Sequence, residues 1–563
     1  MAKKQNKPTP AKAKSIAGDS SVSGDSSGIM KWAPVILAVL VFLVGLTNQM
    51  TGVDDHAATV ENPAIKNFSL EALFSNFNLG MYAPVTWMGY AIAHGLGGEQ
   101  PMIYHFLSLL AHAVSTWLAV RLILRLTGDQ FVAMAVGILF AVHPIQVESV
   151  AWIAGFSTPL FSMFSLMACH AYLDYVHEGK GYSAYLWAIG AFLLACLSKS
   201  AAVTLPLTLM VLDQWKKPQL DKKRLLLGYV PFFLISLGFG LLTIYSRETS
   251  NMAVGATNNG FTALERFFLV CYTPVFYWFK LLVPIKLNIY YSFDKAGGAL
   301  PFYYFLMPLV IAAASYLGWR FRKTAPYIYI GLAFFFANII VTLPFAAMST
   351  FELRADHYNY IACIGIFYIL VNGWLALTAN GKLAWLKTAG YAWLVACIVL
   401  CLMQVRVWKD TVTVISNSIN NGYYQKGMMY FARGVEYGDL GKPQDAIKDF
   451  TSALAIDPEM RDAYKFRGSL YAQAGQIDLA VADLERYLKY DPSDVVTWNN
   501  MAMIYMRQNR LPQALVAFNK TIELKPDAAI SYQNRAKIYE MMGDQTRAAA
   551  DLQKAKEVAI GKR

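Results

Sequence analysis

From Trp32 to Val405 the chain alternates long apolar runs with short polar stretches, and beyond Val405 it changes to an amphipathic pattern with a fixed repeat. The runs fall at 32–47, 101–121, 129–143, 156–176, 183–198, 200–214, 225–245, 264–283, 302–319, 325–347, 356–378 and 385–405. With boundaries free to drift by a few residues, each reads as a helix able to cross a hydrocarbon core of ~30 Å. The sequence therefore predicts an all-α protein in two parts with different solvents, lipid first and water second.

The amphipathic part repeats every 34 residues from Gly427. Tyr430, Tyr464, Trp498 and Tyr532 share one column. Gly434, Gly468, Ala502 and Ala536 share the next, followed by Tyr437, Tyr471, Tyr505 and Tyr539, and then by Ala446, Ala480, Ala514 and Ala548. Pro458, Pro492 and Pro526 close the first three units, and the fourth lacks its proline. Small residues where paired helices touch, aromatics between pairs and a proline at the exit turn are the tetratricopeptide signature. This predicts an α-solenoid of four repeats, 427–460, 461–494, 495–528 and 529–563, and such arrays hold peptides or partner proteins or serve as stacking scaffolds.

Basic residues orient the apolar part. They cluster in the tail (Lys3, Lys4, Lys7, Lys12, Lys14), at 216–224, at 320–323, and at Lys382 with Lys387, and the positive-inside rule assigns all four clusters to the cytoplasm. An even number of crossings must then separate neighbouring clusters, yet three runs lie between Arg224 and Arg320. One of the three is expected to be re-entrant or interfacial, beside Pro284, where irregular backbone is tolerated if protein buries it. The expectation is about eleven spans, with a cytoplasmic N-terminus and extracytoplasmic repeats. Residues 49–100, 144–155, Lys199 and the Arg354 loop share the repeats' side. The resulting division is a disordered cytoplasmic tail at 1–29, a transmembrane domain at 30–406, a linker helix at 407–426 and the array at 427–563. The first run lacks the short h-region and A-x-A-like site of a cleaved signal peptide, so it reads as an uncleaved anchor.

Composition agrees: of 563 residues, 56% are hydrophobic and 15% charged, against roughly 45–50% and about 25% in soluble domains. The net charge of +12 sits in short loops between apolar runs, so it reports topology and not nucleic-acid binding. Six cysteines, Cys169, Cys196, Cys271, Cys363, Cys397 and Cys401, lie in or beside apolar runs and suggest neither a disulfide framework nor zinc spacing.

Candidate chemistry gathers on the expected outer face. Asp54 and Asp55 stand together just after the first run, and crowded carboxylates push their pKa values apart, a setting for a general base or a cation site. A solvated acidic loop is the plainer alternative. HPIQVESVAW brings His143 and Glu148 past one span, Lys199 lies between two others, and FELRADHYNY supplies Arg354, Asp356 and His357. Ionisable groups at membrane depth are functional candidates, although each alone also fits a snorkelling residue.

These residues fall in ordered blocks: Asp54-Asp55 with Asn62-Pro63; Tyr82-Ala83-Pro84-Val85-Thr86; Tyr104-His105 with His112; FAVHPIQVESVAW from Phe140; SKSAAVTLPLTLMVLD from Ser198; Arg354-Ala355-Asp356-His357-Tyr358; and Trp408-Lys409-Asp410. With repeats behind them, the whole resembles the transmembrane and tetratricopeptide-repeat O-mannosyltransferases and their bacterial relatives, type C glycosyltransferases. The resemblance implies an inverting enzyme of the bacterial plasma membrane that moves a sugar from a polyprenyl-phosphate carrier to a protein hydroxyl, Ser or Thr, on the outer side, the repeats recruiting the acceptor. Asp54 or Asp55 would be the base, and Lys199, Arg354 and His357 would face the lipid phosphate. His143, Glu148, Asp356, Tyr82 and His105 would hold sugar or acceptor. No metal ligands are assigned, a divalent cation remains an open requirement, and no nucleic-acid partner is implied. His357 stands where the family often has Arg, Ala83 where it often has a polar or basic residue, and Ser200 where it often has Pro or Glu. An oligosaccharide ligase or polymerase would instead place its cations in a large late external loop, and a non-catalytic scaffold would leave Asp54 and Asp55 replaceable.

Overall fold

The computed structural model describes residues 28–560 apart from 76, 217–221, 250–260, 290, 292, 294, 296–297, 346–353, 380, 382 and 423–425. The tail expected at 1–29 thus lies, except for its last two residues, outside the described residues, as does Lys382. The described residues form helices joined by loops, with two isolated β-bridges, Asn78 to Met81 and Tyr291 to Arg354, as the extended pairing among them.

The first two-thirds of the chain turns leucines outward. In the Lys222–Thr249 helix, Leu226, Leu227, Leu234, Leu237 and Leu241 are each at least 60% exposed, and Val395 and Met403 do the same on Trp385–Val407. A surface of this kind is stable against lipid and not against water. Among the described residues six helices are long and apolar enough to cross a membrane: Met30–Thr47, Pro101–Thr127, Ile153–His177, Lys222–Thr249, Phe302–Arg320 and Trp385–Val407. A seventh arises if Gln130–Val142 and Pro144–Ala151, bent by 52°, count as one.

This corrects the expectation of about eleven spans. Hydropathy reads composition and overlooks where helices break. Tyr182–Ser198, Pro326–Thr342 and Cys363–Thr378 are apolar but have at most 17 residues, a rise of roughly 26 Å. Lys199 ends one helix in extended backbone before the 3₁₀ turn Ser200–Thr204 and the 11-residue Leu205–Trp215. Of the three runs between Arg224 and Arg320, the outer two make long apolar helices and Ala263–Leu282, the run beside Pro284, is not among the six.

Short helices are held by close crossing instead. A Cβ on Gly331 would lie 2.4 Å from the Gly365 carbonyl oxygen, and one on Gly365 would lie 2.2 Å from that of Gly331, so Pro326–Ile339 and Cys363–Thr378 meet backbone to backbone. The 27-residue Pro101–Thr127 helix, roughly 40 Å long, spans the domain. At its start His105 is buried against the backbone of Asn48 and Gln49. At its other end Lys216 donates to the Arg125 carbonyl at 3.5 Å, and Arg125 pairs with Asp174 and Glu178. The Asp54 loop and Lys216 therefore occupy opposite ends of one long helix.

Four helical hairpins make the array, from Lys426–Asp439 with Pro443–Ile456 to Ala529–Met541 with Gln545–Ile560. A Cβ on Gly434 would lie 2.9 Å from the Phe450 ring and one on Gly468 3.0 Å from Leu484, which explains the small-residue column. Arg433–Asp449, Arg467–Asp483 and Arg535–Asp551 are forked pairs, each with two bonds of 2.7–2.9 Å, fastening helix A to helix B in repeats one, two and four. In the third repeat the same positions are Met501 and Ala517, both buried. Each arginine also reaches back to the preceding helix: Arg467 to Thr451, Arg535 to Asn519, and Arg433 to Ser416. The linker helix Thr411–Asn420 thus occupies the place of a helix B before the first repeat.

Candidate active site

The first helix ends at Thr47, and the chain turns extended at Asn48, whose side-chain amide donates to the Val405 carbonyl at 3.2 Å. The two aspartates that follow have different surroundings. Asp55 is 1% exposed and accepts from the Thr51 amide at 2.7 Å, the Thr51 hydroxyl at 2.8 Å and the Ala154 amide at 2.8 Å. Burial pushes its carboxyl up to about 7 despite those donors. The Asp54 carboxylate is solvent-accessible and makes no hydrogen bond among the described residues; the Asp54 carbonyl accepts from the Ala58 amide at 2.8 Å, and the residue sits in the left-handed region with φ 62°. Surrounding protein partly desolvates its carboxyl and raises it above the ordinary aspartate value. A non-glycine residue held in this region is strained, and such strain collects at functional sites.

Residues 148–158 form the spine of the site. Glu148, 4% exposed, accepts from the His357 amide and from His357 Nδ1, both at 3.0 Å. Trp152 donates its indole N–H to the Val53 carbonyl at 2.8 Å, lies 6.0 Å from the His357 ring and stacks on Trp408 at 5.7 Å. The Ala154 amide holds Asp55, and Thr158 accepts from Lys199 Nζ at 2.7 Å. Asp55, Glu148, Lys199 and His357, with Val53 next to Asp54, are therefore joined through one eleven-residue stretch whose helices are separated by extended Trp152 and the 3₁₀ turn Ile153–Phe156.

The other expected residues fall into place around it or away from it. Asp356 accepts from the Tyr291 hydroxyl at 2.9 and 3.0 Å, and burial together with Glu148 raises its carboxyl well above the usual range. Arg354, 4% exposed, lies over the rings of Tyr272, Phe276 and Phe293 at 5.0, 4.3 and 4.2 Å, an aromatic cage that holds the cation beside the site. Tyr82 packs edge-on against Phe77, and Thr86, in the helix Pro84–Gly97 that follows, donates to the Ser198 carbonyl at 2.7 Å, next to Lys199.

His143 lies in the helix break after Gln130–Val142. Wholly buried, it caps the turn after its helix by accepting from the Ile145 amide at 3.2 Å and donates from Nε2 to the Leu281 carbonyl at 3.1 Å. Both ring nitrogens are thereby engaged within the protein. His105 is likewise enclosed, 3% exposed. Sequence reasoning overlooked Tyr291, Thr158 and Thr411, uncharged residues without a local signal; Trp152 and Trp408 stood inside the quoted blocks and carried one. Among the described residues no group of three or more His, Cys, Asp or Glu is placed to hold a metal ion.

Comparison with known proteins matches tetratricopeptide repeat models to residues 431–495 and 495–528. The mouse Protein O-mannosyl-transferase TMTC2 is 33% identical over 150 residues, and the Caenorhabditis elegans Protein O-mannosyl-transferase F38B6.6 is 21% identical over 462. The second match is longer than the whole array and so extends into the apolar part. The chain is similar to the tetratricopeptide-repeat protein O-mannosyl-transferases. These matches cover 26% and 77% of this chain, and 18% and 64% of the two relatives, so the chain spans less than two-thirds of their length. Crystal structures of MamA cover 27% of this chain and 88% of that one, with 22% identity and a TM-score of 0.26.

Proposed function

We propose that the protein is an inverting membrane glycosyltransferase that moves a sugar, mannose by its relatives' names, from a polyprenyl-phosphate carrier to a Ser or Thr hydroxyl of a protein. The observation that carries this reading is Asp54: an accessible carboxylate without hydrogen-bond partners among the described residues, fixed in a strained conformation by the anchored Asp55. In a single displacement the acceptor oxygen attacks the anomeric carbon from one face while the bond to the carrier phosphate breaks on the other. Asp54 takes the acceptor proton, and the electron pair of the breaking bond leaves on the lipid phosphate. Lys199, on the same spine, supplies positive charge to that phosphate. Glu148 orients His357 beside it, and Arg354 contributes its field from the aromatic cage.

The reading places the site and the array on the extracytoplasmic side of a bacterial plasma membrane, with the 216–224 segment in the cytoplasm. The position of Lys216 at the far end of Pro101–Thr127 supports this without counting spans. Repeats two to four extend from a first repeat seated beside the Asp54 loop, a geometry suited to delivering an unfolded acceptor. The test is transfer of radiolabelled mannose from polyprenyl-phosphate mannose to an acceptor protein in nanodiscs. Turnover is expected with wild type and its loss with Asp54→Asn; an unchanged rate in the variant would favour a non-catalytic scaffold.

A further inference from the structure

Three backbone groups of the loop that carries Asp54 are anchored by residues distant in sequence. The Gln49 amide donates to the Lys409 carbonyl at 2.8 Å, the Gly52 amide donates to the Thr411 hydroxyl at 2.9 Å, and the Val53 carbonyl accepts from Trp152 at 2.8 Å. Two of these partners, Lys409 and Thr411, belong to the linker between membrane domain and array. Trp152 is itself stacked on Trp408, the residue before Lys409. Thr411 is buried and opens the linker helix, capped by Asp410, which accepts from the Thr413 amide at 2.8 Å.

On the array side, a Cβ on Gly52 would lie 3.3 Å from Thr411 Cγ2 and 3.6 Å from Glu436 Oε2. Glu436 belongs to the first repeat, its carboxylate facing the Thr411 hydroxyl. The linker helix is fixed from below as well, where Asn417 and Asn421 donate to the Leu287 carbonyl at 2.9 and 3.2 Å. Thr411 therefore stands between Gly52, two residues before Asp54, and the first helix of the array.

We infer that Thr411 is a positioning residue for Asp54, through which the seating of the array on the membrane domain sets the geometry of the proposed base. The inference rests on the reading of Asp54 as that base. Physically, a left-handed aspartate persists only if its neighbours over-determine it. Gly52 and Val53 are the neighbours on its N-terminal side, and Thr411 and Trp152 hold them. Releasing the Gly52 amide lets the loop relax toward an ordinary conformation, and a misplacement near 1 Å costs on the order of 10²-fold in rate. Repeats that shift the linker when an acceptor binds would act on turnover through the same contact.

The experiment uses the full chain in nanodiscs and measures kcat, donor affinity and the pH profile for wild type, Thr411→Val, Thr411→Ser, Gly52→Ala and Asp54→Asn. Thr411→Val keeps the shape and removes the acceptor oxygen. It is expected to lower kcat at least ten-fold with donor affinity unchanged, and to move the acid limb of the profile toward the ordinary aspartate value as Asp54 becomes better solvated. Thr411→Ser restores turnover. Gly52→Ala, which crowds Thr411 from the other side, reproduces the kcat loss and covers the case in which the valine variant fails to accumulate. Wild-type kcat and pH profile in both Thr411→Val and Gly52→Ala, with Asp54→Asn inactive, would overturn the positioning role while leaving the base reading intact. An active Asp54→Asn would overturn the base reading, and the positioning role with it.

Discussion

The Ala154 amide donates to the Asp55 carboxylate at 2.8 Å across 99 residues of sequence, and this one bond separates the tasks of two adjacent aspartates. Asp55 is used up in holding the loop against the 148–158 spine. The Asp54 carboxylate, beside it, has no hydrogen-bond partner among the described residues and faces solvent.

That division predicts opposite phenotypes. Asp55→Ala leaves the Thr51 and Ala154 amides unsatisfied in a buried place, at about 1–3 kcal/mol for each group, so the variant is expected to melt earlier and lose activity through misfolding of the loop. Asp54→Gly relieves a left-handed residue worth about 1 kcal/mol and removes the carboxylate. It is expected to melt at or above the wild-type temperature and to be inactive. Thermal unfolding beside turnover checks both, and a destabilised Asp54→Gly would contradict the assignment of strain.

The pH profile follows from the direction of the Asp54 shift. Partial desolvation raises its carboxyl, so the base is protonated, and turnover lost, as pH falls through a midpoint above the ordinary value of about 3.9. A kcat profile flat down to pH 4 would place the base elsewhere.

The array offers a comparison within itself. Arg467→Met alone strands Asp483, a partly buried carboxylate, at about 3 kcal/mol. The double change Arg467→Met with Asp483→Ala reproduces the Met501 and Ala517 arrangement of the third repeat and is expected to recover most of that loss. Calorimetry of wild type, the single variant and the double variant measures it; equal destabilisation by single and double variants would show that the pair matters for packing alone.

Much of this was legible in the sequence, for reasons that differ by element. The 34-residue period shows because Gly434 and Gly468 have no room for a side chain and must recur. Lys199, Glu148 and His357 could be nominated because charge in an apolar run is costly. The span count overshot because hydropathy cannot see that His143 and Lys199 break helices. The roles of Asp54 and Asp55 were not separable, since they depend on one φ angle and on an amide 99 residues away. Nor could the Arg354 cage be read, because Tyr272, Phe276 and Phe293 are ordinary apolar-run residues until the fold gathers them.

Topology tests the shared side. The first repeat lies against the Asp54 loop while Lys216 sits at the far end of Pro101–Thr127, so reporters fused after Arg563 and near Lys216 are expected on opposite sides, the former extracytoplasmic. Both reporters on one side would contradict this arrangement whatever the number of spans.

The central claim is that Asp54 takes the acceptor proton during sugar transfer. Its most direct measurement is single-turnover transfer from polyprenyl-phosphate mannose by wild type and Asp54→Asn, with donor binding followed in the same nanodiscs. A positioned carboxylate contributes typically 10²–10⁴-fold to such a step, so the variant is predicted to bind donor as wild type does and to transfer at least 100-fold more slowly. Transfer at the wild-type rate by Asp54→Asn would contradict the account.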